Sequence, residues 1–223
     1  MKKVLVISLV AALALWLPSL NAQAGSSNAP RPDVSLATTQ PFQFNGQGQS
    51  LSLGRSNPVN FGDGDFTVHV TVNFSSLGQP ADDMSLVDKM SSPIEANTDG
   101  WRVLKQADNR FWFCLGGPQF NGCNPDGSDT TVISQSEAEI GVWHSVTAVK
   151  AGGSIQIYVD GALEGTTVLG SFVNTDSADL RIGANDPDGA FLHGLINDVR
   201  LFRQALNSGQ VSAQHAQTIS AHK

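Results

Sequence analysis

Cys114 and Cys123 are the chain's two cysteines, separated by eight residues in FWFCLGGPQFNGCNPDG. Such a pair reads as a metal site, a redox couple, a structural staple or two unrelated thiols. Two ligands alone do not close a zinc site, and the spacing is not the Cys-x-x-Cys of a redox motif. Other catalytic material is sparse. Glu95, Glu137, Glu139 and Glu164 are the only glutamates. None opens a Glu-x-Asp-x-x-Glu run, which would set paired carboxylates on one strand face for glycoside cleavage. Glu137 and Glu139 share one side of an extended segment and read as a solvated loop. No Gly-x-Ser-x-Gly elbow occurs. The five histidines are scattered, and His193 is the least explained of them.

The residues best suited to ligand chemistry are aromatic and cationic. In RFWFCL, Arg110, Trp112 and Cys114 alternate with Phe111, Phe113 and Leu115, and the second set reads as core. Trp101 and Arg102 open the preceding strand. Trp101, Arg102, Arg110 and Trp112 therefore form a candidate carbohydrate site, with indole faces for stacking and guanidinium groups for hydrogen bonding. The competing reading buries each tryptophan in the core or beneath the loop at 116–129.

These residues need a scaffold and a compartment. Met1-Lys2-Lys3, the apolar run Val4–Leu17 and the small residues up to Ala24 follow the layout of a secretory signal peptide. The run is shorter than the roughly 20 residues that span a bilayer. A secreted or periplasmic protein is expected, with residues 1–24 removed, and in that setting the two cysteines default to a disulfide. The formal net charge of −7 becomes −9 once Lys2 and Lys3 are lost. That sign argues against nucleic acid or an anionic bilayer as partner. It is compatible with a neutral glycan, with divalent cations or simply with solubility; an extracellular or periplasmic protein is the other partner expected.

Residues 25–39 carry two prolines and read as a leader without a core, leaving 40–223 as one domain. Strand signals follow at 66–74, 102–104, 110–115, 143–149, 155–159, 180–182 and 195–202, divided by Gly, Asn, Asp and Pro clusters. Helical signal is confined to 208–216. The expected fold is all-β: an antiparallel two-sheet β-sandwich of jelly-roll type, with at most a short C-terminal helix.

WHSVTAVKAGGSIQIYVDG (143–161) resembles the central hairpin of laminin G-like, concanavalin A-like domains. FQFNGQGQSLSL (42–53), GDGDFTVHVTV (62–72), LRIGAND (180–186) and GLINDVRLFRQAL (194–206) resemble further strands of that family, in the same order. The resemblance implies the sandwich and, in many relatives, calcium. Carried over to this sequence, the calcium candidates are Asn45 and Asn197, with Asp63 or Asp65 contributing. Asn45 and Asn197 stand where the family usually has Asp, and Asn45 and Gly62–Asp65 also read as plain turn residues.

The function expected from these readings is a non-catalytic recognition module, foremost for carbohydrate. A polysaccharide-cleaving enzyme with an atypical site and a structural or adhesion protein with a protein partner are the alternatives.

Overall fold

The computed structural model describes residues 30–55, 60–79, 82–90, 99–116, 123, 130–170, 178–185 and 189–220. The expected signal peptide, 1–24, lies outside them. Among the described residues the strands are β1 (Val34–Asn45), β2 (Leu51–Gly54), β3 (Phe66–Phe74), β4 (Met84–Met90), β5 (Gly100–Lys105) and β6 (Arg110–Leu115). They continue as β7 (Thr131–Glu137), β8 (Trp143–Ala151), β9 (Ser154–Val159), β10 (Ala162–Val168), β11 (Leu180–Ile182) and β12 (His193–Phe202), before helix α1 (Ser208–Ile219).

The strands form two antiparallel six-stranded sheets. Sheet A runs β1-β12-β3-β8-β9-β10 and sheet B runs β2-β11-β4-β5-β6-β7. Alternation explains the core between them. Phe66, Val68, Val70, Val72 and Phe74 of β3 meet Trp101 and Val103 of β5 and Phe111, Phe113 and Leu115 of β6. Asp160 and Gly161, both at positive φ, make the tight β9–β10 turn that Asp-Gly favours. The edges of the two sheets are tied at β7 and β10. There the Glu164 carboxylate accepts from Gln135 N (3.0 Å), Ser136 N (2.8 Å) and Ser136 Oγ (2.5 Å).

Three expectations change. The leader does not extend to residue 39, because β1 begins at Val34 and pairs with β12 from Val34↔Leu201 onward. Val34 and Leu36 alternate onto the core behind Pro32, so the proline cluster ends sooner than the polar composition suggested. Strands β4, β7 and β10 fall outside the expected strand segments; MSLVDKM carries two charges in its second half, yet every residue of β4 is buried. The helix runs three residues beyond 216, to Ile219.

Helix α1 starts with a capping box. Asn207 accepts from Gln210 N at 3.0 Å, and the Gln210 side chain accepts from Asn207 N at 3.0 Å. It buries Val211, Gln214 and Thr218 against the outer face of sheet A. His69, which alternation along β3 puts on the face away from the core, is consequently fully buried.

Candidate functional site: the outer face of sheet B

Strand register assembles a polar row across sheet B. Arg181 of β11 lies opposite Asp88 of β4, Asp88 opposite Arg102 of β5, and Arg102 opposite Cys114 of β6. Directly opposed residues share a face, and Val87, Val103 and Phe113 already occupy the inner one. The row therefore points away from the core.

Arg102 organises it. Its Nε lies 2.9 Å from Asp88 Oδ2, and its Nη2 donates to Ser85 Oγ at 2.9 Å. Asp83 Oδ2 stands 4.0 Å away with 37% of its side chain exposed, against 4% for Arg102 and 4% for Asp88. Met90 N donates to Asp88 Oδ1 at 2.9 Å. Burial pushes the Asp88 carboxyl above the ordinary carboxylate range, even with the Arg102 guanidinium opposing it. A dry ion pair on the outward face of a sheet costs desolvation that a hydrophobic pair would avoid. Perturbed charged groups of this kind concentrate at functional sites. Arg181, half-buried, and Asp83 form the accessible rim around this floor.

The four residues expected to bind ligand are divided by the fold. Trp101 is a correction: it is 0% exposed and packs in the core against Phe61 and Phe66, with ring centroids 5.9 and 5.6 Å away. Consecutive residues of a strand face opposite ways, so Trp101 and Arg102 cannot share a patch. Arg102 and Trp112 do share the outer face, two residues apart along the strand direction, or about 7 Å. Trp112 is 4% exposed, so it offers no open stacking platform. Its outer-face neighbours are Met90, Leu104, Cys114, Cys123 and Ile133, and its Nε1 donates to Asp108 Oδ1 at 3.2 Å. Arg110 is held by the same carboxylate, Nη2 to Asp108 Oδ2 at 2.7 Å, at the tip of the β5–β6 hairpin. Cys114 and Cys123 form the expected disulfide.

The expected calcium ligands are also a correction, because they do not converge. Asn45 ends β1 opposite His193, and its Oδ1 accepts from Gln47 N at 2.9 Å, which is turn chemistry. Asn197 sits at an irregularity in the β12–β3 pairing. Asp63 and Asp65 precede β3 at its other end, roughly 30 Å from Asn45 by strand rise. There Lys150 Nζ donates to Asp63 O at 2.9 Å, and Asp65 Oδ1 accepts from Gly152 N at 2.7 Å. No single ion takes all four. Among the described residues no three His, Cys, Asp or Glu side chains are grouped to hold a metal.

Asp83, Ser85, Asp88 and Arg181 were missed as site residues. The signal for Asp88 was present as a carboxylate inside an apolar strand-length run. Its pairing with Arg102 depends on register, which one strand's sequence does not specify.

The sequence family described as the concanavalin A-like lectin/glucanases superfamily matches residues 45–212. No curated protein matches the chain. Among solved structures, the Ruminococcus gnavus IT-sialidase CBM40 bound to α2,3-sialyllactose superposes with a TM-score of 0.62 at 13% identity, covering 82% of this chain and 99% of that one. The binding domain of Paraclostridial Mosquitocidal Protein 1 gives 0.61 at 12% identity, over 85% and 47%. The binding domain of botulinum neurotoxin serotype G gives 0.58 at 15% identity, over 87% and 48%. This chain thus spans about half the length of either toxin domain. At these identities the likeness is one of fold.

Proposed function

Because the chain belongs to the concanavalin A-like lectin/glucanase superfamily, we propose that it is a non-catalytic module that binds carbohydrate on the outer face of sheet B. The observation that carries this reading is the half-buried rim of Arg181 and Asp83 on that face, set around the buried Arg102–Asp88 pair. The row sets two guanidinium groups, those of Arg102 and Arg181, beside the carboxylates of Asp88 and Asp83, planar charged groups suited to hydrogen-bonding a glycan. A carboxylate-bearing glycan, sialylated or uronate-containing, presents the planar acceptor geometry a guanidinium prefers. A sialyllactose-binding module of the same fold supports this ligand class. The protein acts outside the cytoplasm, where its Cys114–Cys123 bridge is stable.

A glycan array with matched acidic and neutral oligosaccharides tests the reading. Acidic glycans should bind in preference to their neutral counterparts, and Arg181→Ala should weaken that binding at least about tenfold. Absence of binding to every acidic glycan, or an unchanged Arg181→Ala protein, would overturn it. Release of new reducing ends from the bound glycan would instead establish an enzyme.

A further inference from the structure

The outer face of sheet A holds a second set of titratable groups, buried beneath α1 and unrelated to the proposed glycan site. His69, in the central strand β3, is 0% exposed. Its Nδ1 lies 2.8 Å from Thr147 Oγ1 of β8, and its Nε2 lies 3.1 Å from Thr218 Oγ1 of α1. The Thr218 hydroxyl donates to helix carbonyls, that of Gln214 (3.1 Å) and that of His215 (3.2 Å). It therefore accepts from His69 Nε2–H, and Thr147 donates to Nδ1. The ring is a neutral link between sheet and helix.

Other links surround it. Arg200 of β12 lies directly opposite His69 in the strand register. Its guanidinium pairs with both oxygens of Asp198 (2.9 and 2.8 Å) and donates to Gln214 Oε1 (2.6 Å) and Gln217 Oε1 (2.9 Å) of the helix. His215 of α1 places Nδ1 2.7 Å from Ser145 Oγ of β8. Beyond it, the Asp160 carboxylate is bound by His144 Nδ1 (3.0 Å) and Ser145 N (2.8 Å). The apolar part of the interface is small: Val211 of the helix, with Val149, Tyr158, Phe202 and Leu206.

We propose that α1 is an acid-released latch: protonation of His69 frees the helix from sheet A while the sandwich stays folded. Among the described residues, a cation at His69 would lack a free anion. From β8 it faces Thr147, from α1 Thr218 and His215, and from β12 Arg200 and Asp198. Asp198 is occupied by Arg200, and Asp160 by His144 and the Ser145 amide. Releasing the helix exposes the imidazolium to water, at the cost of a mostly polar interface.

The sign follows from linkage. Burial first, then Arg200 and His215, lowers the folded pKa of His69 from 6.5 to about 3. Between those values the released form binds more protons, so docking weakens as pH falls and is full above pH 6.5. The released fraction should rise about 30-fold from pH 7.5 to pH 5.0.

Hydrogen exchange on the full chain reads this directly, after correction for intrinsic exchange rates. Amides of residues 211–219 should lose about 30-fold protection between pH 7.5 and 5.0, while those of β5 and β6 keep theirs. His69→Gln should flatten the response, and His215→Gln should retain most of it. A change below about threefold in α1, or parallel loss in β5 and β6, would overturn the latch. So would a response that disappears in His215→Gln. The wild-type and His215→Gln measurements decide the matter even if His69→Gln does not fold.

Discussion

Arg102 and Asp88 face one another across β5 and β4, with Nε 2.9 Å from Oδ2 and 4% of either side chain exposed. Their sheet faces outward at this point, so the pair is buried where a strand normally shows its polar side to solvent. Removing Asp88 leaves a guanidinium in a dry site with, among the described residues, the Ser85 hydroxyl and the distant Asp83 to satisfy it. Asp88→Ala should cost about 3–5 kcal/mol in urea unfolding. A loss within experimental error would mean that Arg102 swings out to water.

The reverse deletion should behave differently, because a carboxyl already raised by burial can neutralise itself. Arg102→Met removes the cation that opposes that rise. A raised folded pKa means the native state binds more protons than the unfolded chain above the ordinary Asp value. Relative to the wild type, the variant should therefore gain stability as pH is lowered from 7 toward 5, which the difference between their denaturant midpoints at the two pH values would register.

The two tryptophans of the expected patch should separate by property. Trp101→Ala empties the core contacts with Phe61 and Phe66, costing about 3–5 kcal/mol. Trp112→Phe keeps the outer-face packing and loses the bond to Asp108, costing about 1 kcal/mol. Equal losses in thermal or urea unfolding would contradict the burial of Trp101 between the sheets.

Gly100→Ala should disrupt sheet B. Gly100 has φ +94°, and an added Cβ would stand 1.9 Å from the Lys89 carbonyl oxygen on the neighbouring strand. The backbone of β4 or β5 must move to admit it, and the Arg102–Asp88 pair moves with that register. A soluble Gly100→Ala protein with unchanged melting temperature would refute this packing.

Non-reducing mass spectrometry should detect no free thiol in the folded protein, since Cys114 and Cys123 are bridged. Reduction should lower stability by roughly 2–3 kcal/mol for so short a loop. Two cysteines open to alkylation under native conditions would exclude the bridge.

Much of the scaffold was legible in the sequence. The β3 alternation, the Phe111-Phe113-Leu115 face of β6, the Asp160-Gly161 turn and the cysteine pair are local signals, carried by residues close in the chain. The site was less legible. Trp101 and Trp112 looked equivalent as residue types, and strand parity put them on opposite faces of one sheet. Asn45 and Asp65 looked like partners for one ion, and the length of β3 holds them apart. Asp88 in β4 and Arg181 in β11 were not expected at the site, because nothing within either strand names its neighbour.

The sequence by itself determined an antiparallel sandwich, its main inward faces and the disulfide, because period-two alternation, turn chemistry and compartment act over a few residues. Only the tertiary structure decided that Arg102 pairs with Asp88, that Arg181 joins their row and that α1 covers His69. Register and the covering of a sheet face join residues 14 to 149 positions apart. At that distance, which charges lose their water depends on how the whole chain packs.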